Sequence, residues 1–292
     1  MRDWFAKWFV AFCLVLSFYF VIRYYYKIKS FEPLALIEPS KLFISFLFLF
    51  AGLICQMLTW HVMLKLRYKQ VTVKQSFASA GVTVFTKYIP GKILSVLSRS
   101  KIISNHHSLN FVTVSGISLQ TQLIILFTGL LLGFLSLQSN ISSYVLISIA
   151  ILLVILFLNS KYMTQLSEFI SRRTGRQIEL VNLKPVEIVG ALPVFIIYWL
   201  LLCCGFYYFV LAFLPFSFAG SFSFALAATS GILAIFSPGG LVVREGILFV
   251  YLQWFGIDAE SAITISIMSR LWFMLGEAFI FLVGLACRYK AD

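Results

Sequence analysis

The sequence has little charge, and least of all acid: 11 Asp and Glu stand against 23 Lys and Arg, and charged residues make up 12% of its 292 positions. Soluble domains carry about 25%, so a soluble globular class is excluded. No Ser-, Gly- or Pro-rich stretch separates polar domains, and the whole chain, 1–292, reads as one integral membrane domain. The five cysteines (Cys13, Cys55, Cys203, Cys204, Cys287) lie in or at the ends of apolar runs and show no metal-site or loop-staple spacing, so they read as packing residues. Of the three histidines, His106 and His107 are adjacent, about 100° apart on a helix, which suits no single metal ion, and His61 stands alone beside Trp60. All three read as interfacial residues. No Ser/His/Asp or Cys/His set, Gly-rich phosphate loop, HExxH or CxxC is found. The expectation is a protein that is not an enzyme and uses no metal or cofactor.

What the sequence does have is apolar length. Aromatic and aliphatic residues dominate a 61% hydrophobic composition with a net charge of +12. A helix needs about 20 apolar residues to cross a hydrocarbon layer about 30 Å thick. Six full spans are predicted, near 5–22, 41–64, 109–137, 143–158, 187–213 and 260–287. The first has Arg2 and Lys7 ahead of it, as a signal peptide would, but ends in FYFVIRYYYK rather than small residues, and is read as a retained helix. The cations sit at membrane edges, where anionic lipid is the nearer partner and nucleic acid is not expected. The expected setting is a cell membrane.

Loop charge sets the orientation. Lys65, Arg67, Lys69 and Lys74 follow the second span, and Lys161, Arg172, Arg173, Arg176 and Lys184 fill the stretch before 187. Both loops are expected to be cytoplasmic, as is the C-terminus with Arg288 and Lys290. Arg23, Lys27 and Lys29 run against this scheme: either their side chains snorkel to the outer headgroups, or segment 5–22 does not span fully. Residues 162–173 place Tyr162, Met163, Leu166, Phe169 and Ile170 on one helical face, which suits a short helix in the cytoplasmic interface or an ordinary solvated loop.

Two further apolar regions, 76–104 and 221–256, are interrupted by KYIPGK and SPGGLVVREG. Parity with the charged loops requires the first to enter and leave on the cytoplasmic side and the second to return to the outside. The predicted fold is therefore all-α, a helix bundle of about six spans with two oppositely oriented re-entrant segments, as in inverted-repeat transporters. Pro90 removes a backbone donor and Gly91 frees the chain geometry, so the helix breaks there. Pro238, Gly239, Gly240 and Gly246 are assigned the same role in the second region. In lipid such a break is tolerated only when buried in protein or lining a cavity.

Charge stands beside both breaks. Lys87, Lys92 and Arg99 flank the first and form a candidate anion site, against the alternative of a tight loop obeying the positive-inside rule. Arg244 and Glu245 follow the second, and an ion pair at that depth costs several kcal/mol unless its partners are supplied. Arg270 and Glu277, seven residues apart on one face of the last span, are candidates for the same site or for structural pairing with Arg244 and Glu245. Gln120 and Gln122 point to opposite sides of their helix, so at most one of them faces a shared cavity.

At these residues the chain resembles the flippase-like transmembrane region of lysylphosphatidylglycerol synthases, including relatives that lack the synthase. KYIPGKILSVLSR is similar to that family's aromatic-x-Pro-Gly-Lys segment, SPGGLVVREG to its PGGLGVREG segment, and SRLWF places Arg270 where the family has an arginine. Two positions depart. Val242 stands where the family usually has a third glycine, which argues against a close backbone approach there, and Gln120 holds a position where an acid is often found, which weakens a proton-coupled role. None of the 292 residues is expected to form an aminoacyltransferase domain, so this stretch alone is not expected to make a lysyl-lipid. The resemblance implies movement or handling of an anionic or aminoacylated lipid, either a phospholipid or a polyprenyl-phosphate glycolipid. A scaffold for a cell-envelope glycosyltransferase or lipid-modifying enzyme, docked through the basic 159–186 loop, is the alternative. A membrane-embedded transferase is disfavoured by the missing nucleophile and metal sets.

Overall fold

A computed structural model describes residues 37–88, 93–134, 185–234, 240 and 242–288, with Gln165, Glu168 and Arg172. The predicted spans 5–22 and 143–158, and Pro90, Gly91, Lys92, Pro238 and Gly239, lie outside the described residues.

Every element among the described residues is helical. Four helices are long and apolar enough to cross a membrane. They are α1 (Pro39–Lys65), α4 (Phe111–Phe134), α5 (Pro185–Leu211) and α9 (Ala259–Ala286). Between them lie α2 (Val73–Val82), a 3₁₀ turn (Val84–Tyr88), α3 (Ile93–His107), α6 (Phe218–Ser221), α7 (Ser223–Leu233) and α8 (Val243–Trp254). At about 1.5 Å per residue, α2, α3, α7 and α8 are each too short to span alone.

α1 and α5 run antiparallel. At one end Arg67 pairs with Glu187 at 3.7 Å, so the end of α1 and the start of α5 share a face; at the other, the Ile37 N–H donates to the Ala212 carbonyl at 2.9 Å. α9 joins this pair, with Gly276 against Leu49 and Leu53 of α1 and Gly205 of α5 against Trp272. Fully buried Trp60, Trp199, Trp272, Phe195, Phe206 and Phe224 fill the spaces between helices. Trp199 also donates its Nε1–H to the Ile125 carbonyl at 2.9 Å, tying α5 to α4.

The short helices form two hairpins that open at opposite ends of the α1–α5 pair. In the first, α2 begins with a capping box: the Thr72 hydroxyl accepts from the Gln75 N–H and the Gln75 side chain accepts from the Thr72 N–H. His107, at the end of α3, meets that same Gln75 oxygen at 2.9 Å and closes the open end. His61 lies alongside, buried between helices, with Nδ1 3.0 Å from the Ser76 hydroxyl. In the second hairpin, Phe216 and Gly220 at the entry of α7 touch Phe255 at the exit of α8. Of the predicted interfacial segment 162–173, only Gln165, Glu168 and Arg172 are described; they are helical, with Glu168 and Arg172 paired at 3.5 Å on the surface.

The first hairpin docks on α9 through glycine. A Cβ on Gly81 would lie 2.5 Å from the Ile280 carbonyl oxygen and 2.6 Å from Gly284 Cα, so the two backbones touch in the manner of small-residue membrane contacts. Gly81→Ala is expected to push α2 off α9 and cost about 1–3 kcal/mol. Gly190→Ala, where a Cβ meets nothing within 4 Å, should leave thermal unfolding in detergent unchanged; equal effects would contradict the contact.

Candidate functional site

The site is assembled on one face of α9. Arg270, Phe273 and Glu277 are three and four residues apart, so their side chains stack along one stripe. The two hairpins bring their broken ends to it from opposite sides.

From the first hairpin come Lys87 and Tyr88, the last residues of the 3₁₀ turn. Glu277, 1% exposed, is fully engaged by them. One carboxylate oxygen pairs with the Lys87 ammonium, and the other accepts the Tyr88 O–H at 2.6 Å. The Lys87 ammonium also lies 5.3 Å from the Phe273 ring centre, and the Arg270 guanidinium 5.3 Å from that of Tyr88.

From the second hairpin come Arg244 and Glu245, in the first turn of α8. Gly240 enters this turn at φ +72°, and a Cβ there would fall 2.7 Å from Gly231 Cα, so the two arms cross at glycine. Glu245 pairs with Arg270 at 3.7 Å. Arg244, 5% exposed, is sandwiched between Phe224 and Phe273, each 4.7 Å from the guanidinium carbon. Its Nε and one terminal nitrogen are buried and make no hydrogen bond.

Among the described residues three cations and two carboxylates thus share the site, and Arg244 interacts electrostatically with Arg270, Glu245 and Glu277. Lys87 is matched to Glu277 and Arg270 to Glu245; no ion pair accompanies Arg244 among the described residues. Burying a charge costs several kcal/mol after relaxation, and two ring contacts return about 1–4 kcal/mol. An anion placed against the open guanidinium nitrogens would supply what the protein does not.

The other residues singled out in the sequence fall elsewhere. Arg99 does not join Lys87. It is held on α3 by α4, donating from Nε to the Ser118 hydroxyl and from a terminal nitrogen to the Ser118 carbonyl, and it lies 4.5 Å from the Trp60 ring centre. The candidate anion site at the first break is therefore divided, with Arg99 bracing α3 against α1 and α4. Gln120 is buried in α4. Gly246 is helical: its N–H donates to the Val242 carbonyl at 2.8 Å, so it belongs to α8 and not to the break. No group of three or more His, Cys, Asp or Glu able to hold a metal occurs among the described residues.

Tyr88, Phe224 and Phe273 were missed by sequence reasoning. Tyr88 carried a signal, as the aromatic residue beside Lys87 and the Pro-Gly break; the two phenylalanines, among 31 in the chain, carried none.

Val242 adopts φ +69° and is 81% exposed. Left-handed geometry strains a β-branched residue by about 1–3 kcal/mol, so the backbone here asks for glycine although no close approach requires one. Val242→Gly is expected to raise stability by about 1 kcal/mol, read as a higher midpoint of thermal unfolding; a lower midpoint would contradict the assigned geometry.

These features define a multi-pass helical membrane protein with a buried, net cationic side-chain cluster between two broken hairpins. The chain belongs to the family described as the lysylphosphatidylglycerol synthase TM region, whose model matches residues 7–283. No curated protein matches the chain, and no solved structure matches it.

Proposed function

We propose that this protein binds the headgroup of an anionic lipid at Arg244 and carries it across a cell membrane while the tails stay in the bilayer. The carrying observation is a cation 95% buried with unfilled donors, at the meeting point of two hairpins that open in opposite directions. Membership of a lipid-handling family supports the same reading. Arginine suits a phosphate because its planar fork matches the oxyanion geometry, and the N-terminus of α8 adds favourable potential.

In this reading the hairpins are re-entrant, one from each membrane face, beside about six full spans, and the C-terminus is cytoplasmic. Lys87, Arg270 and the two carboxylates hold the hairpin ends against α9, so exchange of these pairs would open the site to one side or the other. No covalent step is required, and lipid is the only partner invoked.

The test is translocation of a headgroup-labelled anionic phospholipid in proteoliposomes. Wild-type protein should expose inner-leaflet label to an impermeant quencher, and Arg244→Gln should reduce that rate to the protein-free level. Undiminished transport by a folded Arg244→Gln protein would overturn the reading.

A further inference from the structure

The two carboxylates of the site are unequally occupied. Both oxygens of Glu277 are taken, one by Lys87 and one by Tyr88. Both oxygens of Glu245 are buried and accept no hydrogen bond; among the described residues its one ion pair is the 3.7 Å contact with Arg270. Next to it in the chain, Arg244 presents Nε and a terminal nitrogen that donate to nothing. The unfilled positions are thus donors on one residue and acceptors on its neighbour.

A phosphate alone fills only the first kind. The complementary ligand carries an anionic oxygen for Arg244 and, close to it, a hydrogen-bond donor for Glu245. Either an ammonium or a hydroxyl meets the second need, and charge decides between them. With three cations and two carboxylates in the cluster among the described residues, a ligand of net charge −1 leaves these buried groups neutral. A zwitterionic headgroup, including one that carries a neutral aminoacyl group, leaves them at +1, a lysylated one leaves them more positive still, and a diphosphate overshoots.

Resting on the anionic-headgroup reading above, we infer that the ligand is a singly charged phosphodiester of a polyol, glycerol or sugar, with phosphate on Arg244 and a headgroup hydroxyl donating to Glu245. Glu245 is then the residue that sets headgroup specificity. This excludes aminoacylated and ethanolamine lipids as preferred ligands, although both are rich in donors. An uncharged hydroxyl also binds without displacing Arg270, whereas an ammonium would compete with it for the same carboxylate.

Four phospholipids with matched acyl chains separate the two requirements. Phosphatidylglycerol has the charge and the hydroxyls; phosphatidylmethanol has the charge alone; phosphatidylethanolamine has a donor but no net charge; phosphatidylcholine has neither. The purified full chain is offered an equimolar mixture, and bound lipid is counted by native mass spectrometry, with a polyprenyl-phosphate hexose in a parallel mixture to tell glycerol from sugar. A charge-assisted hydrogen bond is worth about 1.5–3 kcal/mol, so one polyol ester should exceed phosphatidylmethanol and phosphatidylethanolamine by about tenfold or more. Glu245→Met should bring the ratio of that polyol ester to phosphatidylmethanol close to one, whatever it does to overall affinity.

Equal binding of phosphatidylglycerol, the hexose lipid and phosphatidylmethanol would overturn the polyol assignment and leave the anionic reading standing. Preference for phosphatidylethanolamine would overturn the charge argument. Equal binding of all lipids, unchanged by Arg244→Gln, would overturn the anionic-headgroup reading itself. The lipid series on wild-type protein decides these cases even where a variant fails to fold.

Discussion

Replacing Arg244 by glutamine is expected to lower affinity for an anionic headgroup by about 100-fold or more while leaving the protein at least as stable. Two charge-assisted hydrogen bonds at about 1.5–3 kcal/mol each set the size of the loss. The stability half is what separates a ligand site from a structural arginine. Arg244 is buried with unfilled nitrogens and no ion-pair partner among the described residues, so in the empty protein its desolvation is offset by the rings of Phe224 and Phe273 and by the longer-range attraction of Glu245 and Glu277, partly cancelled by Arg270. Removing such a charge relieves a cost, as is common where function and stability oppose each other. Thermal unfolding in detergent, with and without phosphatidylglycerol, checks both halves. A wild type that gains several degrees on lipid addition and a variant that gains none is the expected pattern. A variant that unfolds far below wild type without lipid would instead make Arg244 a structural residue.

How much of this was legible beforehand follows from which interactions are local. Four of the predicted spans, near 41–64, 109–137, 187–213 and 260–287, correspond to helices Pro39–Lys65, Phe111–Phe134, Pro185–Leu211 and Ala259–Ala286, because apolar length is written in consecutive residues. The interruptions were equally local: the helices stop at Val82 and Leu233 and resume at Ile93 and Val243. Partner choice was not. Glu277 lies 189 residues from Tyr88, and spacing along α9 gives its face but not which hairpin end meets it. Arg99 shows the same limit from the other side: its face is shared with Lys92 by periodicity, yet Ser118 and Trp60 take it. Gly246 misled because a glycine near a break reads as part of it, although α8 had already begun at Val243. Val242 was flagged by resemblance alone; its positive φ supplies the physical reason a glycine belongs there.

The second large effect is expected at Glu277. Glu277→Ala strips Lys87 of its counter-charge and Tyr88 of its acceptor inside the bundle, and breaking a buried pair in this way costs about 3–5 kcal/mol. Glu277→Gln should cost less, because the amide oxygen still accepts from Tyr88. Lys87 keeps a third of its side chain exposed (34%), so Lys87→Met is expected to be milder than Glu277→Ala. Coupling is the informative quantity: Lys87→Met with Glu277→Met should be more stable than the sum of the single changes by about 1 kcal/mol or more. Additive losses in thermal or chemical unfolding would mean that the first hairpin is not held to α9 through this pair. Loss of the pair should also weaken headgroup binding, since Phe273 and Arg270 lie on the stripe that Lys87 and Tyr88 cover.

Convergence of both broken hairpins on a single headgroup site is tested most directly by a structure of the protein in lipid nanodiscs containing phosphatidylglycerol. The expected result is headgroup density between the two hairpin ends, with a phosphate oxygen about 3 Å from the Arg244 nitrogens and Lys87 and Tyr88 still on Glu277. An Arg244 closed by a protein carboxylate, with no lipid density between the hairpins, would contradict it.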